Sequence, residues 1–157
     1  MVITRYRRHT GKLSAPMELA VVSDLHDHSY ENVLPLLDGA DCLLVPGDSV
    51  SRYRQSWKRG FAFLEAAAKR MPVFFSLGNH ECALRDLDVY RKALSDAGVH
   101  VLHNRFLHYG ELTIGGWYRP WLFNRKDVLP RFAKKDGCKV LLCHRPASRI
   151  WDEHPSY

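Results

Sequence analysis

The chain has 157 residues, 46% hydrophobic and 25% charged, a length and composition that fit one globular domain and leave no room for a second complete one. No stretch reaches the roughly 18 apolar residues of a membrane span, and the basic N-terminus lacks the apolar segment of a signal peptide, so we expect neither. The formal net charge of +6 favours anionic ligands, nucleic acid and phosphorylated metabolites alike, although a solvated basic surface without a partner fits it equally well.

The four cysteines show no paired close spacing of the C-x-x-C type. Cys42 and Cys143 lie inside apolar runs that predict buried strands. We therefore predict reduced thiols and a cytoplasmic protein.

Apolar runs that predict buried strands alternate with helical patterns in the first part of the chain. The runs end at polar loops, which are Asp24 to Ser29, Gly47-Asp48, Gly78-Asn79-His80-Glu81 and, later, His144. Helical patterns occupy residues around 31–38, 54–70 and 84–97. Strand alternating with helix predicts βαβ units and a largely parallel sheet.

After Gly98 the pattern changes to short consecutive segments at 99–102, 105–109 and 111–115. Such segments, separated by turn residues, are typical of a β meander. A helix near 125–134 then leads back to the strand that ends at His144. The change from alternating to consecutive strands predicts a second sheet packed on the first.

The polar loops carry residues that suit a metal site. Ligands collect at the carboxyl ends of strands in open α/β sheets, and these loops offer carboxylate, imidazole and amide donors, a mixture that suits Mn, Fe or Zn. Each piece alone has a simpler reading: D-x-H as a turn or helix cap, G-D as a strand-ending turn, and a lone histidine as a satisfied polar residue. Their joint occurrence at successive strand ends favours the metal site. The candidates are Asp24, His26, Asp48, Asn79, His80 and His144.

The order Asp24-Leu25-His26, Gly47-Asp48, Gly78-Asn79-His80-Glu81 and His144 resembles the motifs of the calcineurin-like metallophosphoesterases over roughly residues 18–146. The resemblance implies an α/β fold, a four-layer αββα sandwich of two mixed β-sheets flanked by helices. It also implies two divalent metal ions, with Asp24 and His26 on one, Asn79 and His144 on the other, and Asp48 bridging both.

The chemistry explains these roles. Two cations about 3.5 to 4 Å apart need a shared anion, and an aspartate supplies it. A water bridging them loses its proton near neutral pH and attacks the phosphorus of a phosphomonoester or phosphodiester. His80, beside a ligand and not itself assigned as one, is our candidate for the general acid that protonates the departing alkoxide.

Arg52 is a candidate for binding the substrate phosphate. The segment Gly47-Asp48-Ser49-Val50-Ser51-Arg52 resembles the G-D-x-V-D-R segment of the Ser/Thr protein phosphatase branch, in which the arginine grips phosphate. A guanidinium suits this role through its planar pair of donors, whereas an arginine in a loop is by default solvent-exposed. Ser51 and Tyr53 depart from that branch, which has aspartate and glycine at these positions.

The G-H-x-H segment that completes the family pattern is absent, and the chain stops at Tyr157. We therefore expect residues 1–157 to form a single metallophosphoesterase domain that lacks its C-terminal part, by truncation in preference to natural shortening or completion by another chain. We expect His154 not to be a ligand. Two alternatives to an active phosphoesterase stay open: a catalytically impaired metal-binding or interaction protein of the same fold, and a nucleic-acid module that uses the scattered basic residues.

Overall fold

The computed structural model describes residues 3–118 and 128–145, which form two β-sheets flanked by helices. The first sheet holds parallel strands in the order β1 (Leu19–Val21), β2 (Cys42–Val45), β3 (Val73–Phe75) and β4 (His100–Val101). Helices α1 (Lys58–Ala68) and α2 (Leu87–Asp96) make the crossovers from β2 to β3 and from β3 to β4, since parallel neighbours need long connections. Strands β2 and β3 are buried along their whole length because both faces of this sheet are covered.

The second sheet contains β5 (Arg105–Tyr109), β6 (Leu112–Trp117) and β7 (Cys138–Cys143) in that order. Strands β5 and β6 form an antiparallel hairpin, in which Tyr109 pairs with Leu112 across a two-residue turn. Strands β6 and β7 pair in parallel, and helix α3 (Leu129–Ala133) precedes β7 in the chain. This sheet is therefore mixed.

Alternate side chains of the first sheet enter two different cores, as the period of two along a strand requires. Leu43 belongs to the core that contains Phe63 of α1 and Tyr90 of α2. The next residue, Leu44, belongs to the core between the two sheets, together with Ile114 of β6.

Helix α3 covers the outer face of the second sheet. Leu129 shares a cluster with Trp117 of β6, and Leu141 and Cys143 of β7 pack against that cluster. The layers are therefore helix, sheet, sheet and helix. This confirms the predicted α/β class with two sheets, although the first sheet is parallel throughout the described residues rather than mixed.

Strand partners differ from those that the sequence pattern predicts. The pattern predicts a meander over 99–115, but β4 pairs in parallel with β3 in the first sheet. The strand before His144, β7, lies in the second sheet, apart from the strands that lead into the other three polar loops. A run of apolar residues predicts that a strand is buried and carries no information about its partner, because β pairing is non-local.

The helices are shorter than their sequence patterns. The pattern at 31–38 becomes a 3₁₀ helix at Leu34–Leu37, and α1 begins at Lys58 because a bridge between Ser51 and Ser56 closes the preceding residues into a turn. Of the predicted helix near 125–134, residues 125–127 lie outside the described ranges. Within those ranges, no helix has both the length and the apolar character needed to cross a membrane.

Candidate metal centre

The loop after β1 extends the hydrogen bonding of the first sheet. The backbone N–H groups of Asp24, His26 and Asp27 donate to the carbonyl oxygens of residues 47, 48 and 49, at 3.3, 3.0 and 3.1 Å. Asp27 is buried, and its carboxylate accepts hydrogen bonds from the N–H groups of Ser51 at 2.7 Å and Gly60 at 3.2 Å. The loop is therefore fixed against the end of β2, with Asp24 and His26 beside Asp48.

Backbone strain is concentrated at this point. Six non-glycine residues in the described ranges have positive φ, and four of them are Asp24, His26, Asp27 and Asp48. A left-handed conformation costs a residue with a side chain roughly 1–2 kcal/mol. Strain of this kind persists where the surrounding structure over-determines the backbone, and such residues cluster at functional sites.

Asp48 follows β2 and is only 2% exposed. Its Oδ1 accepts a hydrogen bond from the backbone N–H of His80 at 2.9 Å. Its Oδ2 lies 3.1 Å from Nε2 of His144, 3.8 Å from Nε2 of His80 and 3.9 Å from Nε2 of His26. One oxygen of a buried carboxylate thus faces three imidazoles, and two of them are too distant for a direct hydrogen bond.

Two glycines allow the loops after β2 and β3 to meet. A Cβ built on Gly47, which has φ +100°, would lie 2.5 Å from the backbone nitrogen of Gly78. A Cβ built on Gly78 would lie 2.1 Å from Oδ1 of Asp48. Since real Cβ atoms do not approach so closely, only glycine at both positions lets the backbone of one loop touch the other.

Glu81 joins the same two loops from inside the protein. Its side chain is fully buried, and Oε2 accepts from the N–H groups of Asp48 and Gly78, both at 2.8 Å. Oε1 accepts from the Ser49 hydroxyl at 2.9 Å and the Val50 N–H at 3.2 Å. Burial raises the pKa of Glu81, while the hydrogen bonds from Asp48 and Gly78 act in the opposite direction. Glu81 therefore holds Asp48 in place without facing the site.

Sequence reasoning missed the positioning roles of Asp27 and Glu81. Glu81 is the last residue of the Gly78-Asn79-His80-Glu81 motif and Asp27 directly follows His26, but nothing in their neighbours along the chain predicts that they are buried. The only indication in the sequence is position, because each carboxylate directly follows a histidine, His26 or His80, just after a strand end. Backbone N–H groups without a strand partner collect at such places and need an acceptor.

His144 follows β7 and is held by its Nδ1, which lies 3.1 Å from the carbonyl oxygen of Pro46. A carbonyl can only accept, so Nδ1 carries a proton and Nε2 of the neutral ring carries a lone pair. Nε2 lies 3.0 Å from Oδ1 of Asn79 and 3.1 Å from Oδ2 of Asp48. Three polar atoms on three separate loops thus converge, an arrangement that a cation shared among them would stabilise.

The neutral ring of His80 has the opposite tautomer to that of His144. The backbone N–H of Arg52 donates to its Nδ1 at 3.3 Å, so in the neutral ring the proton is on Nε2, the nitrogen that faces Asp48. His80 therefore offers the site a donor. Its ring centroid lies 4.3 Å from that of His26.

His26 is less completely bonded. Its Nε2 lies 3.5 Å from Oδ1 of Asp24, and within the described part of the chain its buried Nδ1 has no hydrogen-bond partner. Two groups of potential ligand atoms have members within 4.8 Å of one another: His26, Asp48 and His80, and Asp24, Asp48 and His144. Carboxylate and imidazole ligands of this kind, together with the lone pair on Nε2 of His144, fit a divalent metal ion.

The structure brings five predicted ligands together at the ends of both sheets: Asp24, His26, Asp48, Asn79 and His144. His80 lies among them. Arg52 is at the exposed rim, where its Nη2 donates to the Tyr53 hydroxyl at 2.8 Å. His154 lies outside the described residues.

Comparison with known proteins agrees with these motifs. The sequence model of the calcineurin-like phosphoesterase family matches residues 17–156. No curated protein matches the chain significantly. One solved crystal structure is similar at 14% identity with a TM-score of 0.47, over 81% of this chain and 60% of the other, so the chain spans about 60% of that protein's length. Because the family match extends over most of the sequence, the chain belongs to the calcineurin-like phosphoesterase family.

Proposed function

We propose that this chain is a metal-dependent phosphoesterase that hydrolyses a phosphomonoester or a phosphodiester. The observation that carries the proposal is the convergence of His144 Nε2 with Asn79 Oδ1 at 3.0 Å and Asp48 Oδ2 at 3.1 Å. Lone pairs at these separations repel unless a positive charge lies among them, and burial of Asp48 strengthens that requirement.

The residues that would hold two divalent ions are distributed around Asp48. Asp24 and His26 would hold one ion, Asn79 and His144 the other, and Asp48 would contact both. Mn, Fe and Zn suit these oxygen and imidazole donors. When bound, such ions activate water at neutral pH and neutralise charge on the phosphoryl oxygens.

His80 is proposed as the general acid. The Arg52 N–H at 3.3 Å from Nδ1 supports a proton on Nε2, and that nitrogen faces Asp48 at 3.8 Å. A proton held at this position can pass to the oxygen of the leaving alcohol as the P–O bond breaks. The ring is only 13% exposed, so it is held in this orientation.

Arg52 is proposed to bind the substrate phosphate. Its backbone N–H donates to Nδ1 of His80, so the exposed side chain begins at a point immediately beside the proposed acid. The guanidinium is bound through Nη2 to the Tyr53 hydroxyl. Its remaining N–H groups can donate to phosphate oxygens in pairs.

A metal titration combined with turnover tests this function. The protein, stripped with a chelator, is titrated with Mn²⁺ and Zn²⁺ by calorimetry and then assayed on an aryl phosphate and a diaryl phosphate. Asp48→Asn, which keeps the shape of the side chain and removes its charge, should weaken metal binding about 100-fold or more and abolish turnover. Asp88→Asn is the matched control, because the Asp88 side chain is 93% exposed on α2.

The outcomes separate the alternatives. Failure of the unmodified protein to bind either ion would overturn the proposed metal centre. Stoichiometric binding without turnover of either ester would instead identify a non-catalytic metal-binding protein of this family.

A further inference from the structure

A turn beside the site, residues 51–56, is rigidly attached to the loop that carries His80. The bridge between Ser51 and Ser56 closes it, and we call it the rim turn. Gln55 donates from Nε2 to the carbonyl oxygens of Arg52 at 2.6 Å and Ala83 at 3.2 Å, and its Oε1 accepts from the Arg85 N–H at 3.2 Å. The rim turn is therefore preorganised relative to His80.

The rim turn presents Tyr53 to solvent. Its side chain is 78% exposed, so it contributes little to the core. Its ring lies edge-on to the imidazole of His80, with centroids 5.8 Å apart and an angle of 86° between the planes. An aromatic ring is thus held open beside the proposed general acid.

Arg52 fixes the orientation of this ring. Its guanidinium carbon lies 4.9 Å from the centroid of the Tyr53 ring, and its Nη2 donates to the Tyr53 hydroxyl at 2.8 Å. A cation–π contact and a hydrogen bond together limit rotation of the side chain. The rim therefore combines a positive charge with an exposed aromatic surface.

The position of His80 indicates which part of the substrate would lie near the ring of Tyr53. In the proposed reaction the oxygen that receives a proton from His80 belongs to the leaving alcohol, so the rest of that alcohol would lie next to His80, whose ring centroid is 5.8 Å from that of Tyr53. We propose that Tyr53 is the specificity-determining residue of this site, and that its ring packs against a planar aromatic group carried by the leaving alcohol of the ester. This inference rests on the proposed phosphoesterase function.

Two substrates of matched shape test the proposal. Benzyl phosphate and cyclohexylmethyl phosphate share the same phosphate and CH₂–O leaving atom, and they differ in whether the six-membered ring is planar and aromatic. Each is offered to the Mn²⁺-loaded protein as the monoester and as the methyl diester. The quantity measured is the ratio of kcat/KM for the benzyl ester to kcat/KM for the cyclohexylmethyl ester.

We expect the unmodified protein to prefer the benzyl ester, and Tyr53→Leu to lower the ratio about 3- to 10-fold, in keeping with the strength of aromatic pairs. Tyr53→Phe keeps the ring and should retain the preference. Tyr6→Leu is the matched control, because Tyr6 is 91% exposed in the segment before β1. A ratio that is the same in the unmodified protein and in Tyr53→Leu would overturn the inference while leaving the phosphoesterase function intact.

Failure to hydrolyse either ester would count against the proposed phosphoesterase function. In that case a binding measurement tests whether Tyr53 selects an aromatic group. Benzylphosphonate and cyclohexylmethylphosphonate cannot be cleaved at the P–C bond by this chemistry, and their affinities are compared by calorimetry. Tighter binding of benzylphosphonate that is lost in Tyr53→Leu supports the role of Tyr53. Equal affinities, or no binding of either compound, would overturn it.

Discussion

His80 and His144 face the same carboxylate oxygen of Asp48 with opposite hydrogen-bonding polarity. Nδ1 of His144 lies 3.1 Å from the Pro46 carbonyl oxygen and must donate to it, which leaves the lone pair on Nε2. Nδ1 of His80 accepts from the Arg52 N–H at 3.3 Å, which leaves the proton on Nε2. Backbone groups outside the site thus leave a lone pair facing Asp48 on one imidazole and a proton facing it on the other, as the proposed ligand and acid roles require.

Replacement of His144 by glutamine should reduce metal affinity about 100-fold or more, since a ligand lone pair is removed from beside Asn79 and Asp48. Calorimetric titration with Mn²⁺ measures the change. The matched control is His108→Gln on β5, where the imidazole bonds to the Thr113 hydroxyl instead. Unchanged Mn²⁺ affinity in His144→Gln would contradict the ligand role.

Replacement of His80 by asparagine should leave the affinity for Mn²⁺ within about threefold and lower kcat about 10²- to 10⁴-fold, the usual contribution of a general acid. The loss should be smaller for an ester with a more acidic leaving alcohol, because that alcohol departs without a proton. Single-turnover assays on two esters of different leaving-group acidity check both points. An equal loss for both esters would speak against proton donation by His80.

Glu81→Ala should lower the free energy of unfolding of the metal-free protein by about 2–4 kcal/mol. The substitution leaves the N–H groups of Asp48 and Gly78 without their buried acceptor, and each such group costs about 1–3 kcal/mol. Urea denaturation measures the change. Glu65→Ala on α1 is the control, because Glu65 is 40% exposed and pairs with Lys69 on the helix surface; a loss as large there would show that the effect is not specific to burial.

Gly78→Ala should weaken Mn²⁺ binding by displacing Asp48, because the new Cβ would meet Oδ1 of that residue. Gly110→Ala on the β5–β6 turn should be less stable by about 1 kcal/mol because of its positive φ. Its metal affinity should not change, since no other described residue, apart from its two chain neighbours, comes within 4 Å of a Cβ there. Calorimetry and urea denaturation of both variants separate the two effects. Equal metal affinity in the two variants would rule out the displacement of Asp48.

The half-buried thiols should react slowly with iodoacetamide below pH 9. Burial raises the pKa of Cys82 and of Cys143 to about 11, so at pH 9 only about 1% of each is thiolate, compared with half of an ordinary cysteine. Because the pKa of each thiol in the folded protein exceeds the ordinary value of 9.0, burial of the protonated thiols contributes fully to the free energy of unfolding below pH 9. This contribution is lost as pH rises through 11. Alkylation rates followed by mass spectrometry should rise between pH 9 and 11; rapid labelling of both thiols at pH 8 would refute this.

The chemistry of the site is readable from the sequence because it depends on local features. An apolar run that stops at a glycine predicts a strand end, and Asp48 and Asn79 follow such glycines directly. Polar donors at these points predict where ligands collect. The types of donor, the loops that carry them and the α/β class follow from the order of residues alone.

Tertiary structure decided the rest. His144 reaches Asn79, 65 residues earlier, from the second sheet, because β7 pairs with β6 and the two sheets pack face to face. Burial turns Glu81 into a support for Asp48, and the contacts of Pro46 and Arg52 set the protonated nitrogen of each histidine. Strand pairing, burial and tautomer all depend on groups distant in the chain, and a local pattern of residues carries no information about which distant group will be near.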